Sequence, residues 1–76
     1  VPDLVEWRGV YSKSVKRVGY NHPAAELYVE WLRTGRISIY GPKFPFEKFD
    51  QLSKTVSVGS MMREEIQPKF NHRYAS

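Results

Sequence analysis

The sequence predicts an α+β domain: a three-stranded antiparallel sheet followed by two short helices that cover one face, with an N-terminal arm in front. Three observations carry this. Two stretches of alternating hydropathy flank a glycine-bearing turn, which is a hairpin signal. A proline-led stretch then repeats apolar residues at helical spacing. Finally, 76 residues of which 41% are hydrophobic leave room for one modest core. A chain of this size buries only about 60% of the surface its unfolded form exposes, so most of that apolar content is needed for folding.

The elements follow in order. The first dozen residues carry Leu4, Val5, Trp7, Val10 and Tyr11 around Gly9, at spacings that fit neither a clean helix nor a clean strand. Residues 1–13 are therefore read as an extended or one-turn arm. Trp7 is too large and apolar to stay in water cheaply, so it is expected to dock on the domain or on a partner. Residues 15–20 read as a short strand, and Asn21-His22-Pro23 as turn chemistry. Residues 26–32 alternate, with Leu27, Val29 and Trp31 on one face and Tyr28, Glu30 and Leu32 on the other. Arg33-Thr34-Gly35-Arg36 makes the hairpin connection, with Gly35 supplying positive φ. Residues 37–40 return as the third strand, Ile37 and Ile39 facing one way, Ser38 and Tyr40 the other.

Pro45 suits the first position of a helix, where its missing N–H is not needed. Phe46, Phe49 and Leu52 then recur on one face, and Glu47, Asp50 and Lys54 agree in sign with the helix dipole. After a break at 55–59, Ser57 or Ser60 is placed to cap a second helix carrying Met61, Met62 and Ile66, which Pro68 ends. The stretch Phe70-Asn71-His72-Arg73-Tyr74 has two aromatics and no period, and residues 71–76 are read as a tail. The domain proper is thus expected over 14–70.

Composition narrows the function. With no cysteine there is no disulfide framework, thiolate metal site or cysteine nucleophile. No apolar run approaches the ~18 residues of a membrane helix, and no charged-then-apolar start marks a signal peptide. A start on Val1 reads as a processed or trimmed terminus, and a cytoplasmic setting, the host's if the gene is phage-borne, is expected. His22 and His72 have no carboxylate or hydroxyl at a catalytic spacing, and the adjacent Glu64-Glu65 point different ways on a helix. Single glycines form no phosphate-cradling loop. The expectation is a non-enzyme without metal or cofactor.

Twelve Lys and Arg against eight Asp and Glu give +4 and a pI of about 9.6, which suits an anionic partner and equally suits simple solubility. The candidate nucleic-acid-binding set is Lys16, Arg17, Tyr28, Arg33, Arg36 and Tyr40: Tyr28 and Tyr40 are expected on the face opposite Trp31, ringed by the four cations. Exposed rings on a basic sheet stack unpaired bases. The other reading is a small adaptor or inhibitor that docks on a host protein through Leu4, Val5 and Trp7, since buried Trp with Arg anchors many interfaces.

The order of these signals resembles the KTSC domain, a short module at the C-terminus of some lysyl-tRNA synthetases that also stands alone in bacterial and phage proteins. The residues carrying the resemblance are Ser14-Val15 and Val18-Gly19-Tyr20-Asn21. They continue through Leu27, Val29, Trp31, Gly35, Tyr40, Phe44-Pro45, Phe49, Leu52, Ser57-Val58-Gly59, Met62, Ile66 and Phe70. The family's central Tyr-x-Tyr reads Ser38-Ile39-Tyr40, and the stretch 40–45 is one residue longer than usual. The resemblance implies a binding module with RNA as the expected ligand.

Overall fold

The structure, a computed structural model, describes residues 5–74. Within them five strands, not three, build one antiparallel sheet in chain order: β1 (Val5–Gly9), β2 (Val15–Asn21), β3 (Glu26–Trp31), β4 (Ile37–Tyr40) and β5 (His72–Tyr74). Between β4 and β5 come α1 (Phe46–Lys54) and α2 (Val58–Met61), the latter running into a π-helical turn, Met62–Ile66. The three predicted strands form the centre. The arm and the tail supply the two edges.

The arm is a strand because Val5 and Trp7 alternate with Glu6 and Arg8 over just enough residues to pair with β2, Trp7 opposite Gly19. That alternation is hidden in the sequence by the apolar neighbours on either side, Leu4-Val5 and Val10-Tyr11. Gly19 is what admits the tryptophan. A Cβ there would stand 2.8 Å from Trp7 Cε3 and 2.7 Å from Val5 Cγ1, closer than side-chain atoms pack. The Trp7 ring meets Tyr28 edge-on at 6.1 Å and carries the Arg17 guanidinium at 4.0 Å, a cation–π contact.

On the other face lies the core. Val18 and Tyr20 of β2, Leu27 and Val29 of β3 and Tyr40 of β4 meet Phe44, Phe49, Leu52, Val58, Met62 and Ile66. The Tyr20 hydroxyl donates to the buried carbonyl of Phe44, and burial holds the Tyr20 and Tyr40 phenols above their usual pKa. Pro45 sits one position before the first helical residue, at the N-cap, with extended ψ. Ser57 occupies the N-cap of α2, but its side chain makes no capping bond. The π turn, closed by Gln67 N–H to Met62 C=O at 2.8 Å, keeps both Met62 and Ile66 in the core.

The helix-facing side of β1 is ionic. Arg8 reaches Asp50 at 2.7 Å and Ser53 at 3.1 Å on α1, bonds Glu6 at 2.6 Å, and lies 4.9 Å from the Phe49 ring centroid. Glu6 also meets His22 Nε2 at 3.0 Å, a carboxylate partner that local spacing does not reveal. Bonding to His22 first, and to Arg8, holds the Glu6 carboxyl below its ordinary pKa of 4.5. Arg8, then Lys54, does the same for Asp50.

Two outcomes follow. Gly19→Ala should destabilise the domain by about 1–3 kcal/mol, because the new methyl overpacks against Trp7 and Val5; the midpoint of urea unfolding reads this directly. Acid should release the Glu6–Arg8–Asp50 clamp. A carboxylate whose folded pKa is depressed contributes stability above its unfolded pKa and loses it as pH falls through the folded value. Stability should therefore fall below about pH 4, and Arg8→Ala, compared by urea midpoints at about pH 6 and pH 3, should shrink that fall.

Candidate nucleic-acid interface

The β3–β4 hairpin turn is held by three backbone features. Gly35 adopts φ +72, a conformation other residues take at a cost. Its N–H bonds the Trp31 carbonyl at 2.9 Å, and the Trp31 N–H bonds the Arg36 carbonyl at 2.9 Å. The Thr34 hydroxyl accepts the Arg36 N–H at 3.2 Å. The turn thus sets Arg33 and Arg36 on either side of Gly35 at one end of the sheet. Leu32 N–H bonds the Ser14 carbonyl at 2.9 Å, which brings the start of β2 to the same end.

An open hollow of about 430 Å³ lies there, lined by Ser14, Trp31, Arg33, Thr34, Arg36 and Tyr74. Trp31 is half-buried. Its indole N–H donates to Ser38 Oγ at 2.7 Å, which fixes the ring between the core and the hollow. Tyr74, just over half exposed, arrives on β5 opposite Ser38, and the Arg36 guanidinium lies 5.4 Å from its ring centroid. Both arginines are exposed. Among the described residues neither pairs with a carboxylate, so their charge is available to a ligand.

The sequence-derived set divides. Arg33 and Arg36 come together at this hollow. Lys16 and Arg17 do not join them: Glu30 takes both, Lys16 at 3.9 Å and Arg17 through a short hydrogen bond. Tyr28 is on the helix-free face beside Trp7. The pairing of Tyr28 with Tyr40 on one face is corrected: Tyr40 lies opposite Leu27, faces the helices and is only 1% exposed. Alternation cannot show which way β4 faces, because both of its sides are apolar; its register with β3 decides. Ser38 faces inward with Tyr40 and is as fully buried, so its hydroxyl serves Trp31 and no exposed tyrosine platform is missing at that position.

Of the proposed protein anchor, Leu4 lies outside the described residues, and Val5 and Trp7 are built into β1. Tyr74, Ser14 and Thr34 are not among the binding residues expected from the sequence. Tyr74 reaches the hollow only through the pairing of β5 with β4, across more than thirty residues, and no local pattern signals that.

The sequence profile of the KTSC domain matches residues 11–70. No curated protein matches the chain.

Ser38→Ala should remove the acceptor that orients Trp31. The expected cost is about 1 kcal/mol, and the Trp31 indole proton should exchange faster with solvent in NMR spectra. An unchanged exchange rate would show that the ring is held by packing alone.

Proposed function

The chain belongs to the KTSC domain family, and on that footing we propose that it is a non-catalytic module that binds single-stranded RNA at the hairpin end of its sheet. One observation carries the reading: two arginines without carboxylate partners among the described residues flank a hollow walled by Trp31 and Tyr74. Single-strand binding combines cations that meet phosphate with aromatic faces on which bases stack, each stack contributing about 1–3 kcal/mol. Here Arg33 and Arg36 would meet the phosphate, and Trp31 and Tyr74 would flank the base. Tyr28 and Tyr40 have no part in it, and Lys16 and Arg17, paired with Glu30, have none either.

The reading as a host-protein adaptor draws less support, since Trp7 is spent inside the domain against Gly19 and under Arg17.

The test is a titration of tRNA and of labelled single-stranded oligonucleotides at two salt concentrations. Binding should weaken steeply with salt, and Arg33→Ala and Arg36→Ala should each lower the logarithmic salt slope by about 0.7 as one phosphate contact is lost. Absence of salt-sensitive binding at micromolar protein overturns the proposal.

A further inference from the structure

We infer that the RNA site continues past Ser14 into a second subsite, formed by Tyr11 and Lys13, so that the module takes two or more consecutive nucleotides. This rests on the reading of the first hollow given above. A second hollow of about 320 Å³ lies between the β1–β2 connection and the start of α2, and Ser14 lines both hollows. The Tyr11 ring at its edge is 100% exposed, so it contributes nothing to the core. Lys13 is exposed and, among the described residues, has no carboxylate partner. Ser12, Ser14, Ser57 and Ser60 are among its lining residues, and Ser12 Oγ accepts the N–H groups of Ser14 and Val15, both at 3.2 Å, which fixes the connection that carries Tyr11 and Lys13.

The same combination of aromatic face and unpaired cation therefore occurs on both sides of Ser14. A base placed against Trp31 and Tyr74 leaves its phosphodiester to run over Ser14, and the next base meets Tyr11 with Lys13 beside its phosphate. Stacking on a ring accepts any base, so the subsite extends the length of strand bound without adding sequence preference.

The experiment compares uridine monophosphate with uridylates of two and four residues, titrated against the whole chain at low salt. The wild type should bind the four-residue strand at least about tenfold more tightly than the mononucleotide. Tyr11→Ala should remove most of that gain, so that the four-residue strand binds the variant about as weakly as the mononucleotide does. Lys13→Ala should lower the salt slope for the longer strand by about 0.7. Both side chains are exposed, and an unchanged thermal midpoint checks that each variant is folded. Equal affinity for one and four residues, or a full gain retained in both variants, overturns the second subsite. If Arg33→Ala and Arg36→Ala still weaken binding in that case, the first site stands. No binding at any length overturns both.

Discussion

At residue 19 the sheet has no side chain, and Trp7 lies in the space that leaves. A methyl group at that position would stand less than 3 Å from the indole, so the ring and the strand approach closely only because the residue is glycine. The contact joins β1 to β2 and seats Trp7 against Tyr28 and beneath Arg17. Alternation along β1 then turns Glu6 and Arg8 to the other face. There Arg8 ties the strand to Asp50 and Ser53 of α1 and covers the Phe49 ring. One missing Cβ thus fixes the edge strand, and the edge strand fixes the helix.

The division of charge follows from the same architecture. Arg8, Arg17, Lys48, Lys54, Lys69 and Arg73 each have a carboxylate within ion-pair distance, and Lys16 sits at the limit of that range from Glu30. Those that lie at the surface, such as Lys54 with Asp50 and Lys69 with Glu65, contribute little to stability, whereas Glu26 and Glu30 are largely buried. All of them reduce the net charge of the faces on which they lie. Lys13, Arg33 and Arg36 have no such partner among the described residues, and all three line the hollows that meet at Ser14. Among the same described residues Lys43 and Arg63 are also without one, and they line neither hollow. The excess of +4 is therefore not spread evenly. Local concentration of one sign matters more for attracting an anionic strand than net charge does.

Several parts of the fold were legible from residues alone. The 26–32 alternation, the Gly35 turn and the Phe46, Phe49, Leu52 spacing each repeat a pattern whose period belongs to one element. The two edge strands were not legible. β1 is short and bordered by apolar residues that break its period, and β5 has three exposed residues and acquires strand geometry only by pairing with β4. The candidate site was half legible. Arg33 and Arg36 flank a turn that sequence identifies, whereas Tyr74 depends on β5 and Tyr11 on a loop without pattern. The misplacement of Tyr40 has a definite cause: Ser38-Ile39-Tyr40 offers one apolar side to each face, and period alone cannot choose between them.

By itself, then, the sequence determined the class of the domain, its central hairpin and its helices, because these rest on neighbours a few residues apart. It also determined its kinship with the KTSC family, because the order of such local signals along the chain is itself linear information. Only the tertiary structure decided that the sheet has five strands, that Ser38 and Tyr40 face the core, and that Lys16 and Arg17 are held by Glu30 while Arg33 and Arg36 are not. Each of those depends on strand register, which is set by contacts between residues far apart in the chain. A one-residue change of register reverses which face every side chain joins.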